Sequence, residues 1–175
     1  LHTEKTEFLQ FGVLRRYKGV DILLEALARM TETQRSRVHV TVAGQQFPKL
    51  DATDYAALIR EKGLEGCVTL QLGHVPDEAL DALYQEADFC LFPYREIYGS
   101  GALLMAYSYS KPVLASRALR LSASSGQNGS AVMLGSMFSA RVRHRFAPCP
   151  PLISAASRRW CSRAWKDAER LACWV

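Results

Sequence analysis

The chain has 175 residues, 49% of them hydrophobic, and carries a formal net charge of +5. This length and apolar content suffice for one domain with a sizeable core. No apolar run reaches the roughly 18 residues of a membrane-spanning helix. The sequence begins with Leu and has no signal-peptide pattern, so we expect a piece of a longer protein.

The predicted elements follow one another in a regular alternation. Apolar periodicity and flanking Gly and Pro residues predict strands over 8–13, 38–43, 67–72, 88–92 and 112–115, and helices over 19–30, 53–62, 76–86 and 100–110. Alternation at this spacing favours parallel βαβ units with right-handed crossovers. The expected fold is α/β, a Rossmann-like open parallel sheet with helices on both faces. Such sheets bind ligands at the carboxyl ends of their strands.

Charge and composition divide the chain into two parts. Residues 1–96 carry 11 basic and 15 acidic residues, whereas residues 97–175 carry 11 and 2. From residue 117 onward no helical or strand period is sustained, and Arg, Ser, Cys and Trp are enriched. We therefore expect a domain over residues 1–116 and a basic tail over residues 117–175. A reading-frame change near residue 117 and a natural basic tail both explain this composition.

Residues 158–175 stand apart within the basic tail. Their apolar and basic side chains fall on separate faces of a helical wheel, which is typical of a basic amphipathic helix that contacts a membrane surface or a partner domain. A chance pattern is the alternative.

The five cysteines show neither metal-binding nor disulfide spacing, which favours a reducing compartment. The expected location is the cytoplasm, at the inner face of a membrane if the helix binds one.

The strongest functional signal is residues 92–116, with the sequence FPYREIYGSGALLMAYSYSKPVLAS. It resembles the donor-site segment of retaining family 4 glycosyltransferases of the GT-B fold. In that family a Pro-x-x-Glu-x-(Phe/Tyr)-Gly loop and the helix after it hold the nucleotide-sugar. Residues 8–30, 38–44 and 67–92 resemble three further segments of the family, so the resemblance covers residues 8–116. It implies that residues 1–116 are the C-terminal, donor-binding half of a GT-B fold, incomplete in this chain.

Three cations, Arg15, Arg16 and Lys18, lie at the start of the first predicted helix. The helix dipole disfavours cations at this end, so their presence makes sense if an anion binds there. A solvated turn whose side chains point away is the alternative. The resemblance implies that Lys18 and one of the two arginines grip the diphosphate of the donor. It does not decide which arginine does so.

The resemblance also implies roles for residues farther along the chain. Glu96 is the candidate catalytic residue, which would accept hydrogen bonds from hydroxyl groups of the donor sugar. Gly99, Ser100 and Gly101 would bind phosphate through backbone N–H groups at a helix start. His74 is a further candidate for contact with the donor. The alternatives are that Glu96 is a solvated carboxylate, that residues 99–101 form an ordinary turn, and that His74 is a solvated loop histidine.

The chain departs from the family pattern at one point. The family places a second glutamate eight positions after the first, where it holds the ribose hydroxyls, but the candidates here are Leu104 and Met105. The ribose anchor and the identity of the base are therefore undefined. Tyr94 either stacks on a base or sugar or covers the core.

The implied function is that of a glycosyltransferase donor-binding domain. The full enzyme would transfer a hexose from a nucleotide-sugar, such as UDP- or GDP-hexose, to a sugar or lipid-linked acceptor in polysaccharide assembly. We expect no cofactor, no metal and no nucleic-acid partner; the expected partner is an N-terminal GT-B domain missing from this chain. Two alternatives stay open: a module that binds nucleotide or nucleotide-sugar without turnover, and an inactive fragment with an out-of-frame tail.

Overall fold

The computed structural model describes residues 5–96 and 100–116 of the chain. Within them five strands form one sheet in the order β3-β2-β1-β4-β5, and every pairing is parallel. The strands are β1 (Thr6–Phe11), β2 (Val38–Gly44), β3 (Val68–Leu72), β4 (Phe89–Phe92) and β5 (Val113–Ala115). This arrangement confirms the predicted open parallel sheet.

Five α-helices connect the strands within the described residues. They are α1 (Val20–Arg29), α2 (Glu32–Arg35), α3 (Tyr55–Glu61), α4 (Asp77–Glu86) and α5 (Gly101–Ser108). Helix α2 was not predicted, because four residues carry no apolar period. Its local signal is the capping box of Thr31 and Gln34.

The helices bury apolar residues on both faces of the sheet, as predicted. On one face α1 and α3 pack against Phe8 and Val40, with Leu23 and Leu27 fully buried between them. On the other face α4 and α5 pack against residues of β1, β4 and β5, including Leu9, Cys90 and Val113. Residues i and i+1 of a strand point to opposite faces, so neighbouring residues such as Phe8 and Leu9 serve different cores.

The order of the strands places a crevice between β1 and β4. From β1 the chain proceeds outward to β2 and β3, and then returns to β4 on the other side of β1. The connections that leave β1 and β4 at their carboxyl ends therefore diverge, and such a switch point is where open sheets bind ligands. Strand β1 ends at Phe11, two residues earlier than predicted, because Gly12 adopts a φ of +121°.

Several predicted features lie outside the described residues. These are Gly99 and the basic tail of residues 117–175, together with its expected helix over 158–175. Among the described residues, the helices are too short or too polar to cross a membrane.

Candidate functional site

The predicted site residues follow the carboxyl ends of two adjacent strands. The basic turn (residues 12–19) leaves β1, and the acidic loop (residues 93–96) leaves β4, so Lys18 and Glu96 lie at the same edge of the sheet. Ser100 and Gly101, which follow the acidic loop in sequence, begin α5. His74 is exposed after β3, two strands away from β1. No contact described for His74 connects it to the β1–β4 crevice.

Hydrogen bonds hold the backbone of the basic turn against the sheet. The Leu14 N–H donates to the Gln45 carbonyl oxygen at 2.8 Å, and Gln10 Nε2 donates to the Lys18 carbonyl oxygen at 3.0 Å. Gln10 is only 3% exposed. Its Oε1 has no hydrogen-bond partner among the described residues. The turn that carries Lys18 is thus fixed from below by a polar side chain of β1.

Lys18 is a half-buried cation at the floor of the crevice. A Cβ atom on Gly12 would come within 2.5 Å of its Nζ, which lies 5.8 Å from the centre of the Tyr94 ring. Burial, and secondarily the positive charge of Arg15, lower the pKa of Lys18 to about 8. Within the described residues, neither Lys18 nor the two arginines of the turn form a salt bridge.

A second cavity opens at the carboxyl ends of β2 and β3, next to the crevice. Its volume is about 500 Å³, and its lining includes Gln46, Asp51 and Leu72. Asp51 is buried and accepts hydrogen bonds from the Thr53 N–H at 3.0 Å and the Tyr55 hydroxyl at 2.5 Å. Burial alone would raise the pKa of Asp51, but these hydrogen bonds and the charge of Arg16 hold it below its usual value.

The two arginines of the basic turn therefore act on different groups. The charge of Arg15 lowers the pKa of Lys18, whereas the charge of Arg16 lowers the pKa of Asp51 on the neighbouring loop. Both arginines are exposed, and these effects associate Arg15 with Lys18 and Arg16 with Asp51. The sequence alone did not distinguish between them.

Tyr94 belongs to the core and is not a platform for a ligand. It is 2% exposed, packs edge-on against Tyr17 and Phe92, and its hydroxyl lies 3.2 Å from Ser100 Oγ. Burial raises its pKa to about 12. Of the two roles considered for Tyr94, the structure supports covering the core. Through its hydroxyl Tyr94 also connects the acidic loop to the start of α5.

The start of α5 faces open space. Ser100 caps the helix, with its Oγ accepting a hydrogen bond from the Leu103 N–H at 3.3 Å. A Cβ atom on Gly101 would meet nothing within 4 Å. Gly101 is thus exposed at the first position of α5.

The structure brings Arg15, Lys18, Glu96, Ser100 and Gly101 to one edge of the sheet. Sequence reasoning missed three residues that build this edge: Gln10, Asp21 and Arg95. Gln10 could have been found as the polar residue in an apolar strand. The contact between Asp21 and Arg95 joins residues 74 positions apart, and no local sequence pattern predicts it. Among the described residues, no group of three potential ligands could hold a metal ion.

Comparison with known families supplies an independent view of this arrangement. Residues 5–142 match the family described as "Glycosyl transferases group 1". This match covers more than half of the chain, so the chain belongs to that family of glycosyltransferases. The match continues past Ser116, where the resemblance found in the sequence ended.

Characterised relatives are longer than this chain. It is 29% identical over 109 residues to the GDP-mannose:glycolipid 4-beta-D-mannosyltransferase of Xanthomonas campestris pv. campestris, an alignment that covers 61% of this chain and 29% of that protein. It is 35% identical over 118 residues to the D-inositol 3-phosphate glycosyltransferase of Corynebacterium aurimucosum, which covers 66% and 27% respectively. The chain therefore spans less than a third of either relative.

Solved structures share the fold. The C-terminal domain of a glycosyl transferase group 1 family protein (LpcC) from Francisella tularensis superposes with a TM-score of 0.60 at 16% identity, covering 97% of this chain and 79% of that one. Anabaena Alr3699/HepE, solved in complex with UDP and glucose, gives a TM-score of 0.54 at 21% identity, covering 66% and 30%. At these identities the similarity establishes a Rossmann-like fold of the GT-B kind.

Proposed function

We propose that the β1–β4 crevice binds the diphosphate of a nucleotide-sugar, and that residues 1–116 are the C-terminal, donor-binding domain of a retaining family 4 glycosyltransferase. Lys18 carries this proposal. A half-buried ammonium without a counter-ion pays part of the desolvation cost with no compensating attraction, and no carboxylate pairs with Lys18 among the described residues. A diphosphate would supply the missing negative charge. The fold of Alr3699/HepE, which was solved with UDP and glucose, supports a nucleotide as the ligand.

Each candidate residue then has a distinct role. Lys18 and Arg15 neutralise the diphosphate through charge-assisted hydrogen bonds. Gly99, Ser100 and Gly101 add backbone N–H groups and the positive end of the α5 dipole. Glu96 accepts hydrogen bonds from hydroxyl groups of the sugar.

The chemistry follows from these contacts. During transfer, the bond between the anomeric carbon and the diphosphate oxygen breaks, a new bond to the oxygen of an acceptor hydroxyl forms, and the proton of that hydroxyl passes to the departing diphosphate. The departing diphosphate gains negative charge, which the two cations stabilise. No metal ion is required for this neutralisation. His74, which follows β3 two strands away from β1, is a further candidate for contact with the donor.

The remainder of the reaction belongs to the whole protein. We place the acceptor site on an N-terminal domain, and we propose a sugar or lipid-linked acceptor and a hexose donor. The mannosyltransferase relative, whose name specifies GDP-mannose and a glycolipid, supports this choice. We also propose a cytoplasmic enzyme that contacts the inner face of a membrane through residues 158–175. Co-sedimentation with anionic vesicles, with and without residues 158–175, tests that contact.

Titration calorimetry on the 175-residue chain tests the central proposal. UDP and GDP should bind more tightly than UMP and GMP, and the nucleosides should bind least, because each lost phosphate removes a charge that faces Lys18. EDTA should not change these affinities. Equal affinities for diphosphate and nucleoside would contradict the proposal. The isolated chain should transfer no sugar, because it lacks the acceptor domain.

A second candidate function is a module that binds the nucleotide-sugar without turnover. Its support is Leu104, an apolar residue at one of the two candidate positions for the second glutamate of the family. The Leu104 side chain is 69% exposed. The full-length protein distinguishes the two. Hydrolysis or transfer of a nucleotide-sugar that disappears in Glu96→Gln supports the enzyme, whereas binding without either reaction supports the module.

A further inference from the structure

A bidentate ion pair joins the acidic loop to the start of α1. Arg95 Nη1 and Nη2 donate hydrogen bonds to the two carboxylate oxygens of Asp21 at 2.7 and 2.6 Å. Arg95 Nη1 also donates to the Arg16 carbonyl oxygen at 2.8 Å. The backbone N–H of Arg95 donates to the Tyr17 carbonyl oxygen at 2.7 Å. Four hydrogen bonds thus connect one residue of the acidic loop to the basic turn and the helix that follows it.

These contacts converge on the backbone beside Lys18. Arg16 and Tyr17, whose carbonyl groups Arg95 binds, are the two residues directly before Lys18. The Lys18 carbonyl oxygen is in turn held by Gln10 Nε2, and the Lys18 N–H donates to the Arg15 carbonyl oxygen at 2.8 Å. The turn that carries Lys18 is therefore held by Gln10 of β1 and by Arg95 of the loop that follows β4.

The same residue determines where the acidic loop leaves the sheet. Arg95 directly precedes Glu96, so the bidentate pair between Arg95 and Asp21 also restrains the backbone of Glu96. Planar bidentate pairing between Arg and a carboxylate restricts both partners in orientation as well as distance. A single pair therefore fixes the relative positions of the two segments that carry Lys18 and Glu96.

We infer that Arg95 and Asp21 are positioning residues, which hold Lys18 and Glu96 at the separation that a nucleotide-sugar requires. This inference rests on the proposed donor site, since it assigns a purpose to the geometry of that site. Stability alone is a poor explanation of the pair. Its side chains are 36% and 37% exposed, and ion pairs with this much solvent contact contribute little to folding.

A double-mutant cycle for binding of UDP and GDP tests the inference. Arg95→Met should weaken diphosphate binding about tenfold, a typical coupling for residues that share one network. In a Lys18→Ala background the same substitution should change affinity by less than about twofold, because the residue that it positions is gone. Arg95→Lys, which keeps the charge but loses the fork, should behave like Arg95→Met. Additive effects of Arg95→Met and Lys18→Ala would overturn the inference.

Arg29→Met is the matched control. Arg29 also pairs with a carboxylate on α1, at 3.1 Å from Glu25 Oε1, but at the far end of the helix. It should leave UDP and GDP affinity unchanged. An equal loss of affinity in Arg29→Met and Arg95→Met would show a general effect of removing surface charge, and would overturn the inference.

A second readout needs no ligand. Carbon-13 NMR of methylated lysines reports the pKa of Lys18, which should rise from about 8 toward its ordinary value in the double variant Arg95→Met/Asp21→Asn, because the net charge of the pair is unchanged while the loosened turn exposes the ammonium group. A purely stabilising ion pair would leave that pKa unchanged, and such a result would overturn the inference. If Arg95→Met does not fold, Asp21→Asn tests the loss of UDP and GDP affinity through a milder substitution.

The two proposals fail in different ways. If Lys18→Ala does not affect UDP or GDP binding, the proposed donor site is wrong, and the positioning role falls with it. If Lys18→Ala weakens binding but Arg95→Met and Asp21→Asn do not, the donor site stands and only the positioning role is wrong.

Discussion

Gly19 lies against Pro93 so closely that a Cβ atom on Gly19 would come within 2.0 Å of the Pro93 carbonyl oxygen. Gly19 is also the N-cap of α1 and adopts a φ of +68°. Pro93 begins the acidic loop. The absence of one side chain therefore allows the basic turn and the acidic loop to approach each other, and this approach forms the crevice between β1 and β4.

Gly19→Ala should destabilise the fold and separate the two segments. A left-handed conformation costs a non-glycine residue about 1–2 kcal/mol, and the contact with Pro93 adds an overpacking cost of about 1–3 kcal/mol. Urea denaturation measures the sum.

Two other glycines separate these contributions. Gly63 has a φ of +61° with nothing near its Cβ position, so Gly63→Ala should show the conformational cost alone. Gly66 has open space and no positive φ, so Gly66→Ala should be nearly neutral. Equal losses for Gly19→Ala and Gly63→Ala would contradict a steric role for Pro93.

The fold was largely predictable from the sequence. Strands and helices alternate along the chain, and α1 shows a clear buried face of Val20, Leu23, Leu24 and Leu27. These local patterns, with the handedness rule for parallel crossovers, lead to the observed sheet. The order of the strands then places Lys18 and Glu96 at one edge of the sheet, as the sequence predicts.

The contacts that shape the site were not predictable. Arg95 and Asp21 lie in different predicted elements, and an arginine next to a glutamate in a loop gives no sign of a distant carboxylate. The sequence also could not show which arginine of the basic turn is closer in effect to Lys18, since both precede the same helix; the charge of Arg15 lowers the pKa of Lys18. Periodicity reports which face of an element is buried, but not which polar side chains meet across the gap between two loops.

Lys18→Ala should weaken the binding of UDP and GDP far more than that of uridine and guanosine. A charge-assisted hydrogen bond to phosphate contributes about 1.5–3 kcal/mol, which corresponds to a loss of about 10-fold to 150-fold in affinity. Calorimetry with both classes of ligand measures the difference. Lys62→Ala is the control, because Lys62 pairs with Glu25 at 2.7 Å away from the crevice and should not affect binding. Equal losses for diphosphate and nucleoside would place Lys18 away from the phosphates.

Binding of UDP or GDP should be coupled to proton uptake in alkaline solution. In the protein without ligand, the pKa of Lys18 is about 8. A bound diphosphate should raise this pKa by favouring the charged form. About one pH unit above 8 the site without ligand is largely deprotonated and the bound site is protonated, so binding takes up a proton and affinity falls as the pH rises further. Calorimetry in two buffers of different ionisation enthalpy measures the uptake. In Lys18→Arg, which stays charged, the uptake should vanish; if it persists, another group is responsible.

Leu104→Glu should restore recognition of the ribose without loss of stability. Leu104 is 69% exposed in the first turns of α5, so little apolar burial is lost, and a carboxylate near the N-terminus of a helix is favourable. We expect a change in the free energy of unfolding within about 0.5 kcal/mol.

A hydrogen bond from a ribose hydroxyl to the new carboxylate would contribute about 1.5–3 kcal/mol. The variant should therefore discriminate against 2′-deoxy-UDP or 2′-deoxy-GDP more strongly than the unaltered chain does. Met105→Glu is the comparison: Met105 lies on the side of α5 that packs against the core, so this substitution should destabilise the fold. An unchanged preference between ribose and deoxyribose in Leu104→Glu would show that this turn of α5 does not face the ribose.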